Sequence, residues 1–351
     1  MAILKLSPIT KRRITRFKNN KRAFISLIIF LVLFIMSLFA EFIANDKPLF
    51  MVYKDKYYFP IFKVYHDTEF GGFFDSEADY KDSFTLNEIE SNGYIVWPLI
   101  KYSYDTIEHN LPEPPPLPPS WQNPLGFDAN GRDVFARLLY GFRLSVIFGI
   151  LLTITTSIIG IMVGALQGYY GGKVDIVGQR FMEIWSGIPM LYLLIMLNSI
   201  IRPGFWWLLF LMTLFGWMKL VGVVRAEFLR GRNLEYVQAA RASGVRDIQI
   251  IFRHILPNAL VASITFLPFI LGGSITSLTS LDFLGFGMPS GSPSIGELLA
   301  SGKNNINAPW LGISAFVILS VLLSILVFIG EGFRDAFDPN RMKKQSKKQQ
   351  R

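Results

Sequence analysis

Cysteine is absent from this sequence, which excludes a disulfide framework and any thiolate nucleophile or metal ligand. Histidine is scarce, at positions 66, 109 and 254 only, and no HExxH pair exists to hold a catalytic zinc. There is no GxxxxGK[ST] loop, so the chain cannot itself cradle nucleotide phosphates, and no GxSxG elbow to carry a catalytic serine. The serines in Gly272 to Ser274 and Ser290 to Ser292 read as loop and packing residues. Charge is thin as well, at 17%, and the long apolar segments hold no cluster of carboxylates of the kind a proton relay needs.

Apolar residues fill that gap: 51% of the chain is hydrophobic and its mean hydropathy is +0.36. This is the composition of a membrane protein. The net charge of +9 would suit a nucleic-acid partner if it were spread over one surface. Instead, basic residues gather at the ends of apolar runs and at both termini, so no nucleic acid is expected.

Residues 1–22 carry Lys5, Lys11, Arg12, Arg13, Arg16, Lys18, Lys21 and Arg22 without one acid. An apolar run over 23–44 follows. It is too long for a signal peptide and lacks a small-x-small cleavage site, so it reads as a first membrane span with a cytoplasmic N-terminus. Between Asp46 and Trp121 the balance reverses, with 13 Asp or Glu against 6 Lys. This insert, 45–122, is expected outside the membrane on the far side. Its aromatic pieces suggest short strands, and LPEPPPLPPS at 111–120 an extended spacer.

Residues 123–142 begin with a turn at Asp128 to Gly131 and continue as an interfacial helix through Val134, Phe135, Leu138 and Leu139. A calcium loop is discounted, because no bidentate Glu follows at the twelfth position. Five further spans are predicted in the 143–332 core, at 144–166, 181–201, 205–224, 259–281 and 310–330. Six crossings bring the basic tail, 333–351, back to the cytoplasm and place 225–258 inside. Gly149, Gly160, Gly164 and Ala165 allow close helix approach. Pro268, Gly272 and Gly273 loosen the fifth span. Glu183 and Lys219 lie near cytoplasmic ends, where pairing or snorkelling costs little.

The piece that does not fit an apolar chain is EYVQAARASGVRDIQIIFRHILP, Glu235 to Pro257. Tyr236 to Ser243 is a good helix former whose Ala239 and Ala240 leave the backbone approachable. Gly244 permits a sharp turn, and Ile248, Ile251, Phe252 and Ile255 repeat at helical spacing from Asp247. Two short helices meeting at a bend are expected.

Ala239, Ala240, Gly244, Leu256 and Pro257 fall on the register of the EAA loop of ATP-binding-cassette importer permeases, which this segment resembles. Gln238 stands where the pattern has Glu. His254 resembles the peptide-importer branch. The resemblance implies that Gln238, Ala239, Ala240, Arg241, Gly244, His254, Leu256 and Pro257 form a coupling helix docking on a cytoplasmic ATPase. Upstream, Leu125, Gly126, Asp128, Gly131, Arg132, Asp133, Arg137, Tyr140 and Gly141 resemble the LGTDxxGRDxxxRxxYG signature of dipeptide and oligopeptide permeases. Glu183 replaces an Asp at the start of the third span. Asp282 replaces a common Ser and, with the acidic insert, resembles the branch handling peptides and compounds of the microcin C type. Further matching segments are GYYGGKVD, GVVRAEFLR and EGFRDAFDPN.

The resemblance implies an all-α polytopic fold of the type I importer, with six transmembrane helices and an extracytoplasmic insert. It also implies a bacterial inner-membrane location with both termini cytoplasmic, and a non-catalytic subunit binding no cofactor of its own. The implied partners are a second permease subunit, ABC ATPases that hold the ATP, a periplasmic peptide-binding protein, the lipid bilayer and a peptide substrate. Two rival readings are an ion-coupled transporter, for which no inverted repeat is visible, and a membrane-anchored binding or scaffold protein built around the insert.

Overall fold

The computed structural model describes residues 8–337 except 74, 202 and 203. Lys5 and the basic residues from Arg341 onward lie outside the described residues. Helix α1 (Pro8–Asn19) is separated from the first span, α2 (Lys21–Leu38), by Asn20, whose side chain accepts from the Ala23 N–H and caps α2. A short turn of helix, α3 (Ala40–Ile43), leads to the insert.

The insert is a small α/β unit. Its strands β1 (Phe50–Tyr53), β2 (Lys56–Tyr58) and β3 (Gly93–Val96) pair antiparallel in the order β2-β1-β3. Lys54 and Asp55, both at positive φ, form the tight turn between β1 and β2, the backbone twist that two-residue hairpins require. Helix α4 (Ser83–Ser91), capped by the Asp82 carboxylate on the N–H groups of Phe84 and Thr85, covers one face of the sheet. Met51, Tyr53, Phe70, Tyr80 and Ile89 close a core there. The proline run is not a free spacer: the Leu117 carbonyl accepts from Phe127 N–H at 3.0 Å.

The expected interfacial helix and second span form one continuous helix, α5 (Val134–Tyr170), of 37 residues and about 55 Å in length at 1.5 Å per residue. Asp133 caps its start, so nothing interrupts the backbone at the membrane surface. The third span, expected as one segment over 181–201, is instead bent by 60° between α6 (Gly172–Ser186) and α7 (Met190–Asn198). Pro189 at the junction disfavours helix at the residue before it and cannot donate an N–H. Helices α8 (Phe205–Gly216) and α9 (Met218–Gly231) make one apolar crossing.

The next crossing also differs from a straight 259–281 span. Helix α12 (Leu256–Ile264) meets α13 (Leu267–Phe283) at a 55° bend, immediately before Pro268. The loop that follows α13 contains a further helix, α14 (Ile295–Asn304). The last crossing is α15 (Pro309–Phe337). Among the described residues, four helices are long and apolar enough to cross a membrane unaided, and counting each bent pair as one span raises the number to six.

Helices α5 and α9 pack through glycines spaced by four. A Cβ on Gly160 would meet the Trp217 carbonyl oxygen at 2.6 Å, one on Gly164 the Val221 carbonyl oxygen at 2.8 Å, and one on Gly168 the Phe228 Cβ at 2.5 Å. The two backbones therefore touch along three successive turns, a contact that larger side chains forbid. Replacing Gly164 by Val is expected to cost about 2 kcal/mol by overpacking and to lower the unfolding temperature in detergent. Gly222→Ala, where no atom lies within 4 Å of the added methyl, is expected to leave it unchanged.

Candidate functional site

Between α9 and α12 the chain leaves the bundle as an elbow. Its first arm is α10 (Glu235–Ala242), with Glu235 in the first turn and Arg241 in the last, both complementing the helix dipole. It ends in a Schellman turn, with Gly244 N–H bonded to the Arg241 carbonyl at 3.0 Å and Val245 N–H to the Ala240 carbonyl at 3.1 Å. Gly244 sits at φ +78°, the left-handed conformation that a side chain resists.

The second arm is a short turn, α11 (Asp247–Gln249), a π-helical stretch Ile250–Ile255, and α12. Pro257 accounts for the widening, because it offers no N–H to the carbonyl four residues back and its ring crowds that carbonyl. Leu256 and Pro257 therefore open α12.

One stripe of the elbow faces the bundle. Val237, Ile250, Ile251 and Ile255 bury against Tyr169 of α5 and Leu220, Val224 and Phe228 of α9. Polar contacts fix the rim: Tyr169 hydroxyl donates to Asp247 at 2.5 Å, and the Arg241 guanidinium lies 5.2 Å from the Tyr169 ring centre. The segments GYYGGKVD and GVVRAEFLR meet just above, where Arg225 grips Asp175 with two bonds of 2.5 and 2.6 Å. Tyr236 reaches the His254 carbonyl at 3.5 Å and its ring tilts against the His254 ring.

The opposite stripe is open. Gln238, Ala239, Arg241 and Gly244 are exposed, Ala240 and His254 half-buried, and Ile248 and Phe252 expose 63% and 61% of their surface. Gln238 donates to the Asn233 carbonyl at 3.3 Å, a bond that a carboxylate could not make. A helix of small residues flanked by two exposed apolar side chains and three cations (Arg241, Arg246, Arg253) is a surface suited to insertion into a groove on a protein.

The second group of predicted residues lies at the other end of α5. Asp128 accepts from the backbone and Nε of Arg132 at 3.0 and 2.9 Å and from Nη1 of Arg137 at 2.8 Å. Glu297 of α14 accepts from the same two guanidinium groups, at 3.3 and 2.8 Å. Arg137 is 1% exposed and also donates to the Ser292 carbonyl. Gly131, at φ +76°, makes the turn, while Gly141 lets α5 approach the backbone of Ser294 and Ile295. Tyr140 donates to the Ala44 carbonyl at 2.9 Å.

Asp133 accepts from Ala136 N–H at 2.7 Å and the Asn123 amide at 2.8 Å. Burial pushes the carboxyl of Asp133 up, against the pull of those two donors. Asp282 accepts from the Ser294 hydroxyl at 2.5 Å and Met288 N–H at 2.7 Å, and so ties α13 to the start of α14. Glu183 stands apart, paired with Arg180 on the exposed side of α6. The structure thus joins the Asp128 group to the loop after α13 and to α14, and leaves Glu183 outside it. Glu297 was not singled out from sequence, though it is the one acid between Asp282 and Glu331. No group of acids and histidines able to hold a metal occurs among the described residues.

The model for the inner membrane component of binding-protein-dependent transport systems matches residues 157–343, and the model for the N-terminal transmembrane domain of oligopeptide transport permease C matches residues 9–60. The chain belongs to this family: it is a multi-pass inner-membrane permease subunit of an ABC importer, with the type I importer fold. At the level of individual proteins, it is 59% identical to the inner membrane ABC transporter permease protein YejE of Escherichia coli K12, covering 96% of this chain and 99% of that one. It is 53% identical to the peptidoglycan transport system permease protein YejE of Agrobacterium fabrum over 95% and 94% of the two chains. The oligopeptide transport system permease protein OppC of Haemophilus influenzae is 34% identical over 68% of this chain and 76% of that one.

Replacing Arg137 by Met leaves Asp128 and Glu297 sharing one guanidinium where they had two. Because Arg132 remains bonded to both, the expected loss is about 3 kcal/mol, at the low end for breaking a buried pair. It is read as a drop in thermal stability and faster proteolysis of the 283–308 loop.

Proposed function

We propose that this chain is the translocating subunit for peptides or peptide-like compounds, including those of the microcin C type, moving them inward across the inner membrane. The likeness to the oligopeptide transport system permease protein OppC of Haemophilus influenzae and the sequence resemblance support the peptide class. In this reading a second permease completes the pore, and a periplasmic binding protein delivers the substrate. Both termini lie in the cytoplasm. ATP binds only to cytoplasmic ATPase subunits, in line with the missing phosphate loop, and the chain carries neither cofactor nor catalytic residue.

The observation that carries the proposal is the two-sided elbow. Its inner stripe is sealed onto α5 and α9, and its outer stripe offers Ala239, Gly244, Ile248 and Phe252 to a partner. When the ATPases close on ATP, a push on the outer stripe passes through Val237 and Ile255 to the helices that form the pore, and the pathway alternates its access. Gln238 contributes by hydrogen bonding, Ala239 and Ala240 by their small size, Gly244 by its turn, Arg241 by its seat on the Tyr169 ring, His254 by joining the two arms through Tyr236, and Leu256 and Pro257 by starting α12.

Co-purification of the solubilised chain with its ATPase tests the proposal. The intact chain is expected to bring the ATPase down, and Gly244→Asp, strained at positive φ and charged on the open face, is expected to lose it while still inserting into the membrane. Equal recovery with both forms would contradict the docking role.

A further inference from the structure

The sheet of the insert has a second face that α4 does not cover. Phe50, Val52, Tyr57, Tyr94 and Val96 point to it, by their pairing register, and none of its strand positions is charged. Tyr57 is 70% and Tyr94 54% exposed. Phe50 gathers the group, with ring centres 5.9 Å from Tyr57, 5.3 Å from Phe59 and 5.8 Å from Tyr94. An aromatic face of this kind, left open in water, would be an aggregation hazard.

The face is continuous with an exposed apolar surface of the first span. Ile25, Ile28, Val32, Ile35 and Phe39 recur at helical spacing as one exposed stripe along α2. The stripe ends on Phe39, whose ring packs edge-on to Phe42 at 6.0 Å, and Phe42 packs likewise on Phe62 at 5.9 Å. Phe62 N–H bonds back to the Phe59 carbonyl, and Phe59 rests on Phe50. Ring contacts, joined at one step by the Phe62–Phe59 backbone hydrogen bond, therefore connect the exposed apolar side of α2 to the sheet.

We infer that this face lies on the bilayer, at the boundary between headgroups and acyl chains. Phe50 and Phe59 would be sunk on the apolar side, and the hydroxyls of Tyr57 and Tyr94 would lie among the headgroups, the position that amphipathic rings favour. The insert is then a membrane-resting platform, held by lipid as well as by its peptide connections, with α4 turned toward water. The inference does not depend on what the elbow docks against.

The lack of cysteine makes the test direct. Spin labels on Tyr57→Cys and Phe59→Cys, in the full chain reconstituted into lipid nanodiscs, are compared with Phe39→Cys at the end of α2 and Asn87→Cys on exposed α4. All four positions are exposed, so the thiols leave the core intact. The expected result is collision with dissolved oxygen favoured over a water-soluble nickel chelate at positions 57 and 59, as at 39 and opposite to 87. Chelate-favoured collisions at 57 and 59 would overturn the inference in favour of a water-exposed face, and exclusion of both reagents would overturn it in favour of a protein-covered one.

Discussion

The approach of α5 to α9 is the contact on which the rest of this structure depends. Gly160, Gly164 and Gly168 bring two backbones together over three turns. That closeness sets Val224 and Phe228 in place as the floor on which the elbow rests. In a bilayer no hydrophobic force distinguishes a neighbouring helix from lipid, so such an interface relies on packing at short range. Loosening it would separate the elbow from the two helices on which it packs.

The same helix carries the outer network at its other end. Asp133 caps α5, Arg137 lies in its first turn, and the ion pairs to Asp128 and Glu297 bind it to α14. A single unbroken rod of 37 residues thus joins a buried charge network on one side of the membrane to the elbow platform on the other. By contrast, two other crossings are bent, by 60° at α6 and α7 and by 55° at α12 and α13. Unbroken and bent crossings are thus segregated, an arrangement that suits the proposed alternation between two accessible faces.

Much of this was legible in the residues. Glycine at 244, the alanine pair and the helical spacing of Ile251 and Ile255 foretold two arms and a turn, because each depends on local backbone preference. The short strands of the insert were visible in aromatic runs flanked by turn formers. Pro268 marked the fifth span as loosened, but neither its angle nor the bend at Pro189 was legible, since an apolar segment interrupted by one proline has the same hydropathy as a straight span. Continuity of α5 also escaped, because the change from polar to apolar residues near Leu144 reads as a boundary that the backbone does not observe. Glu297 could not be assigned, as its partners lie about 160 residues earlier in the chain. Asp282 stood out by its charge, but only the fold reveals that Ser294 and Met288 occupy it.

The central claim is that the elbow moves as one body with the α5 and α9 platform. The most direct measurement is the distance between spin labels on Arg230→Cys, at the end of α9, and Ser243→Cys, at the turn of the elbow, in the assembled transporter. Sealed apolar packing predicts one narrow distance distribution that stays the same in the resting and ATP-bound states. A distribution that shifts or broadens with ATP would show the elbow flexing on its own, and would contradict the account.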